Sequence, residues 1–480
     1  MAVFSSKSLV KFKDKIESSA KELFHRSLDQ HVKLAVTGLS QSGKTAFITS
    51  LVNQLINEGR GRPLPFFDVV QQGRFIAAKR VPQNNLHIPR FSYDLAIENL
   101  SLQPPQWPEA TRSISELRLA IRYYPQDSLL KYATEMATLY LDITDYPGEW
   151  LLDLPMLEQN FEQWSEQMTE LLNTPPRNAL AQPFLDKVAL IDPFAVACEN
   201  QLAELADEYT QLLHQFRHEL GLSVIQPGRF ILPGEHEGAP ILQFIPFPYF
   251  STINKDVYQQ AGQDTFIGML KARYKQYCER IVRQFYKQHF VHFDRQIVLA
   301  DCLTPLNHGT HAFKDLQKGL NLIMKSFAYG KSNVFTRLFS PKIDKLLFAA
   351  TKADHVTAEQ HPALTGLLEQ LLMQAKQNLS FDAIKMKSLT LASVRSTMEG
   401  ETQYQGHKIN VLKGRRLDNQ QVITVFPGKV PSQLPEPSYF EQQPYNFIAF
   451  SPLEPLAEHQ ALDQINMDKV LQYLLGDKLK

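Results

Sequence analysis

The chain has 480 residues, 44% of them hydrophobic and 10% aromatic, with 50 Lys+Arg balanced by 50 Asp+Glu. At roughly 100–200 residues per domain this predicts about two to four domains around a large core, and zero net charge argues against generic nucleic-acid binding, which draws on a basic excess. Cys198, Cys278 and Cys302 stand too far apart for a disulfide framework or a CxxC zinc pair. With no apolar run of the roughly 18–20 residues that cross a bilayer, and no leader pattern, the chain reads as soluble and cytoplasmic.

Residues 7–26 predict an amphipathic helix, with Leu9, Phe12, Ile16, Leu23 and Phe24 on one stripe and Lys7, Lys11, Lys13, Lys15 and Lys21 opposite. The basic side reads first as a solvated face and second as a contact with an anionic membrane. Short apolar runs at 32–37, 139–144, 297–300 and 346–351 predict buried parallel strands, with 387–392 a weaker fifth, while 116–124 alternates. The stretch 59–108, rich in Pro, Gly, Gln and Asn, far exceeds an ordinary connection of about 2–6 residues and reads as a functional loop or small insertion. Residues 156–290 are helical in pattern, clearest at 198–222 and 266–290, and read as an inserted helical domain. After residue 400, 408–412 and 421–426 predict two strands around a Gly-Arg-Arg turn. A last helix carries Met467, Val470, Leu471, Leu474 and Leu475 on one face, with Gly476 as its cap. The expected organisation is an N-terminal helix (1–30), one α/β domain in two parts (31–155 and 291–400) interrupted by 156–290, and a β-plus-helix extension (401–480).

Gly38-Leu39-Ser40-Gln41-Ser42-Gly43-Lys44-Thr45 matches G-x-x-x-x-G-K-[ST], with an apolar strand before it and an apolar helix, starting at Ala46, after it. Gly38 and Gly43 let the backbone curl so that amides from Gly38 to Ala46 face phosphate oxygens at a helix N-terminus. Lys44 supplies charge to the β- and γ-phosphates, and the Thr45 hydroxyl is a hard ligand suited to magnesium. Next, the strand TLYLDIT ends in Asp145-Tyr146-Pro147-Gly148. An acid there can support a magnesium shell, and Gly148 can offer its N–H to a γ-phosphate and lose that contact after hydrolysis. Further on, LLFAA runs into Thr351-Lys352-Ala353-Asp354. A carboxylate at Asp354 can accept from the N1–H and exocyclic amine of guanine, a donor pair adenine lacks, while Lys352 lays its stem over the base. Ala392-Ser393 closes a later strand, where a backbone N–H, assigned to Ala392, can meet the guanine carbonyl.

In this order the motifs resemble those of the Ras-like GTPases, over about residues 31–58, 108–155 and 293–400. Through GLSQSGKT, TRSISELRLAIRYYP, LDITDYPGEWLLDLP, FAATKADHV and VLQYLLGDKL the whole chain more closely resembles the YcjX-like family of bacterial P-loop proteins, described as stress-associated. The resemblance implies an α/β, Ras-like P-loop domain with a large helical insertion, binding GTP or GDP with Mg²⁺ and hydrolysing GTP slowly to drive a switch. It maps the switch threonine onto Thr111, with Ser113 and Ser115 as competitors, making Thr45, Thr111 and Asp145 the metal group. Lys44, Thr111, Gly148 and Glu149 would be the catalytic set. Glu149 stands where fast-switching relatives carry a water-positioning Gln, so it either points away from the γ-phosphate or acts with help. Arg112 reads as a surface residue before an arginine finger, and Gln41 fills the place of an ion-binding Asn or Asp. Two alternatives stay open: a nucleotide-gated scaffold with negligible turnover, and a membrane-associated large GTPase. An unidentified protein partner is expected, and nucleic acid is not.

Two HxxH pairs, His289/His292 and His308/His311, read as capping or core histidines before zinc ligands. Lys271, Arg273, Lys275, Arg280, Arg283 and Lys287 read as a solvated helix face before a phosphate or acidic-partner contact. Trp107 and Trp150 flank the two switches and are candidates to pack on each other in one nucleotide state.

Overall fold

In a computed structural model the described residues are 29–480 without 40, 59–63, 127–134, 251–252, 254, 329–342, 380–383, 432, 437, 439, 441–444 and 455–460. The expected helix at 7–26 and Ser40 of the phosphate loop lie outside the described residues.

Seven strands form one sheet in the order β2-β3-β4-β1-β5-β6-β7. They are β1 (Gln30–Gly38), β2 (Phe75–Val81), β3 (Ser115–Tyr123), β4 (Ala137–Asp145), β5 (Arg295–Ala300), β6 (Lys345–Ala350) and β7 (Lys385–Thr390). From β4 to β7 all pairings are parallel, while β3 runs antiparallel to β4 and β2 to β3. Every residue of β5 is buried, as a strand covered on both faces requires, and this is why such strands read as unbroken apolar runs. The edge strand β2 and the helix after it, α2 (Tyr93–Ser101), fall inside the stretch expected to be a loop. With a single neighbour, β2 is held by its backbone pairing to β3 rather than by burial, so it leaves no clear hydrophobic pattern.

One face of the sheet packs on α1 (Lys44–Ile56) and on the last helix, α11 (Met467–Leu475), whose predicted apolar stripe is fully buried there. The other face shares one apolar cluster with α9 (Thr310–Ala328), α10 (His361–Leu379) and the helices between β4 and β5. Those are α3 (Glu149–Leu152), α4 (Phe161–Leu172), α5 (Arg177–Ala189), α6 (Glu199–His218), α7 (Phe266–Tyr277) and α8 (Arg283–Gln288). Trp164, fully buried on α4, lies 5.4 Å from Phe244 and 5.2 Å from Tyr274 at the centre of that packing. The helix expected over 266–290 runs continuously from Phe266 to Gln288, α7 passing into α8 through a π turn at Cys278–Val282. Its basic residues are not all solvated, since Arg273 is buried and pairs with Glu199; Lys271, which is exposed, lies 4.6 Å from the centre of the Tyr258 ring. No helix among the described residues is long and apolar enough to cross a membrane.

A separate three-stranded sheet, order β10-β9-β8, follows: β8 (Thr397–Tyr404), β9 (His407–Arg415) and β10 (Val422–Val425). Gly414 and Arg415 continue β9 instead of forming the expected turn, which falls at 417–419. Fully buried Arg295 on β5 anchors the C-terminus, with Nη2 2.6 Å from Asp477 just past α11.

Candidate nucleotide site

β1 ends at Gly38, and the chain loops into α1 at Lys44. Gly43 precedes α1 with φ 81°, a left-handed conformation that glycine adopts without strain. Lys44 Nζ donates back to the Gly38 carbonyl at 3.0 Å, and Gln41 also has positive φ, at 59°. The loop borders a cavity of about 350 Å³ that Lys44, Thr45 and Thr111 line at one end and Lys352, Asp354 and Ser393 at the other. Gln41, Ser42, Gly43 and Ala46 belong to the same wall.

Three of the expected residues meet below the loop. Thr111 Oγ1 donates to Asp145 Oδ2 at 2.6 Å, and Thr45 Oγ1 stands 3.4 Å from Thr111 Oγ1 while donating to the Glu109 carbonyl at 2.9 Å. Of the three candidates, Thr111 is the one bonded to Asp145, whereas Ser115 opens β3 and Ser113 lines a neighbouring cavity. Asp145 is fully buried; burial, opposed by the Lys44 charge and the Thr111 bond, pushes its carboxyl up to about 6. Its Oδ1 is buried with no hydrogen-bond partner among the described residues. An orphaned carboxylate oxygen beside two hydroxyls is a hard-oxygen donor set of the kind magnesium takes.

Gly148 presses on the loop so closely that a Cβ there would lie 2.3 Å from the Gly38 carbonyl oxygen. Its neighbour Glu149 is buried and turns its carboxylate to Arg217 of α6, 3.4 Å away, and does not line the cavity. The next turn docks into the helices beyond β4. The Arg229 guanidinium lies 3.2 Å from the centre of a Trp150 ring, and Trp150 Nε1 donates to the Leu232 carbonyl at 3.1 Å. Asp153 accepts from the Gly228 N–H at 2.8 Å and the Tyr277 hydroxyl at 2.5 Å, and burial, against those bonds, raises it to about 7. Trp107 has a different partner, its Nε1 donating to the Phe450 carbonyl at 2.8 Å. Arg112 is exposed and borders adjoining cavities rather than this one.

At the far end Asp354, 4% exposed, accepts from the backbone N–H and hydroxyl of Ser396, each at 2.6 Å. Lys352, in the left-handed region at φ 59°, sends its ammonium to Asp301 at 2.5 Å and to the Thr304 hydroxyl at 3.0 Å. Burial works against the charge on Asp301, but Lys352 and the Thr304 bonds outweigh it and hold the carboxyl below the usual range. Ala392 and Ser393 both line the cavity, and the Ala392 N–H donates to the Ile465 carbonyl at 3.2 Å, inside a bridge with the C-terminal segment. Asp301, Ser396, His355 and Phe450 were not anticipated. Asp301 did carry a signal, an acid directly after an apolar strand run, whereas Phe450 carried none. Among the described residues no three His, Cys, Asp or Glu gather in a way that could hold a metal ion, and burial lowers His289 to about 4, which leaves its ring neutral.

Sheet order, phosphate loop and the Thr45–Thr111–Asp145 group together define an α/β protein of the P-loop class and agree with a Ras-like arrangement. The chain belongs to the YcjX-like family, DUF463, whose model matches residues 32–479. It is 48% identical over 466 residues to the Ras-like GTPase YcjX of Escherichia coli (strain K12), spanning 97% of this chain and 100% of that protein. It is 43% identical over 479 residues to the Ras-like GTPase YcjX of Shewanella oneidensis, spanning 97% of this chain and 98% of that one.

Proposed function

We propose that the protein binds guanine nucleotide with Mg²⁺ and hydrolyses GTP slowly, using the cycle to shift the contact between its phosphate loop and its helical segment. The observation that carries this reading is Asp354: a buried carboxylate held in place by Ser396, in the wall of a cavity that begins at Lys44. Guanine offers that carboxylate two donors and adenine does not. The relatives' names as Ras-like GTPases support the same choice.

In this reading the loop amides and Lys44 neutralise phosphate charge, Ser393 faces the guanine carbonyl, and the Lys352 stem, its ammonium pinned by Asp301, lies along the base. Thr45 and Thr111 would hold magnesium with Asp145 in support, and the ion would supply Lewis-acid stabilisation of phosphate charge. Gly148 senses the γ-phosphate by moving off Gly38, and Glu149 to Asp153 carry that movement to the helices they grip. We read residues 156–290 as the inserted unit that presents the nucleotide state to a protein partner in the cytoplasm. The turning of Glu149 toward Arg217 leaves the water-positioning place unserved, which favours slow turnover and also supports a second reading, a nucleotide-gated scaffold with negligible turnover.

Calorimetric titration with GDP and ADP, on wild type and Asp354→Ala, tests the base assignment. We expect GDP to bind at least about 100-fold more tightly than ADP, and the margin to collapse in the variant, since each hydrogen bond to a charged group is worth about 1.5–3 kcal/mol. Equal binding of the two nucleotides, unchanged by the substitution, would overturn it. Phosphate release from GTP then separates slow turnover from none.

A further inference from the structure

The nucleotide cavity has a wall that no phosphate or base motif supplies. Leu417, in the turn between β9 and β10, and Ala449 and Phe450, from the segment beyond the small sheet, line it beside Lys44 and Asp354. We propose that residues 445–453 form a strap that belongs to the nucleoside-binding wall and sets how fast a bound guanine nucleotide leaves, an inference that rests on the guanine reading above.

The strap is fastened along its length. The Asn307 side chain brackets Phe447, donating to its carbonyl at 2.9 Å and accepting from its N–H at 2.8 Å. The Leu417 N–H donates to the Ala449 carbonyl at 2.9 Å and the Ser451 N–H to the Arg415 carbonyl at 2.8 Å, so the strap pairs with the chain leaving β9 about an Arg416–Phe450 bridge. Beyond that, the Leu453 N–H donates to the Arg395 carbonyl at 3.0 Å, close to Ser393 and Ser396.

Phe450 is the centre of this arrangement. Its ring crosses β9 at Gly414, where a Cβ would lie 2.7 Å from it, so glycine is what lets the ring pass. The ring meets His355, next to Asp354, edge-on at 5.4 Å, and its carbonyl accepts from Trp107 Nε1. Trp107 lies in the segment that leads to Thr111, so one strap residue touches both the base-reading loop and the approach to the metal group. Apolar side chains at this end suit the face of a purine and its ribose, and a base gains from stacking on an aromatic ring. A nucleoside leaving by this end has to displace an element held by the bonds just described, so the strap acts mainly on release.

The test is the release of tritiated GDP, chased with excess unlabelled GDP, from wild type, Phe450→Ala, Trp107→Phe and Leu417→Ala. Release is expected to accelerate roughly tenfold in Phe450→Ala, and by a smaller factor in Trp107→Phe, which keeps an aromatic ring and loses only the donor, with association changed by less than about twofold. Leu417 is 47% exposed at the rim, so Leu417→Ala folds even if the buried Phe450 cannot be replaced, and it too is expected to release faster. Unchanged or slower release from Leu417→Ala and Trp107→Phe, in protein that takes up GDP with wild-type stoichiometry, would overturn the strap. Failure of the wild type to take up GDP at all is a different result: it overturns the guanine reading, and the strap with it.

Discussion

Asp145 makes the proposed metal group testable without any assay of turnover. In the folded chain its carboxyl is raised from 3.8 to about 6 by burial, which Lys44 and Thr111 only partly offset. The native state therefore holds this proton more tightly than the unfolded chain does. Stability from the group is largest at low pH and is lost as pH rises from about 4 through about 6. A shift of about 2 units corresponds to about 3 kcal/mol in all, of which roughly 1.4 kcal/mol falls between about pH 5 and about pH 8. Asp145→Asn keeps an acceptor for the Thr111 hydroxyl and removes the charge. Nucleotide-free Asp145→Asn in EDTA is therefore expected to outlast wild type in thermal or urea unfolding at about pH 8, by about 1–3 kcal/mol, and to lose that share of the pH dependence. Groups that titrate alike in both proteins, Asp153 among them, cancel in the difference. Adding magnesium and GDP should reverse the order, because the ion favours the ionised carboxylate and only wild type offers one. A variant less stable than wild type at pH 8 without magnesium, or one with the same pH dependence, would refute the reasoning.

Two further outcomes follow from the packing around the loop and the anchor of the last helix. Gly148→Ala places a Cβ 2.3 Å from the Gly38 carbonyl, where backbone lies on both sides and cannot yield cheaply. Melting and single-turnover phosphate release should show a loss of about 1–3 kcal/mol and turnover reduced about tenfold or more, with GDP binding retained. Asp477 runs the opposite way from Asp145. Burial works against its charge, but bonds from Arg295 and Lys345 hold it at about 2, so its contribution is present above about pH 4 and is lost as pH falls toward 2. Because its side chain is 36% exposed, we discount that contribution to about 1–2 kcal/mol. Asp477→Asn should show a loss of that size near pH 7 that vanishes in acid melts.

The strands buried on both faces were legible because parallel packing excludes polar residues, and the phosphate loop was legible because its chemistry demands glycine and lysine at set places. Edge strands β2 and β8 were not, since both are largely solvated and held by backbone pairing, which leaves no periodic trace. Glu149 shows a second limit. Its place after Gly148 locates its Cα near the phosphate loop, but α3 turns the side chain toward Arg217, a partner far along the chain. The pairing of the Ala392 amide with Ile465 is likewise made by a segment far along the chain, and the Phe450 wall is assembled from segments that are each locally ordinary.

Three carboxylates stand at the carboxyl ends of adjacent parts of the parallel sheet, and they show what such a position means. Asp301, after β5, is satisfied from within by Lys352, Thr304 and the Leu303 amide. Asp354, after β6, has one oxygen bound by Ser396 and lines the cavity. Asp145, closing β4, keeps an oxygen with no partner among the described residues and the raised carboxyl that goes with it. A buried charge is costly unless something meets it, so the degree of satisfaction within the fold orders these residues by what remains for a ligand to supply. On that ordering Asp301 steadies Lys352 from within the fold, and in the proposed reading Asp354 would offer its remaining oxygen to a base and Asp145 would be completed by a cation. The motifs point to the two carboxylates that the fold leaves partly unmet and pass over Asp301, because a residue whose partners are all internal needs no fixed spacing to a phosphate loop.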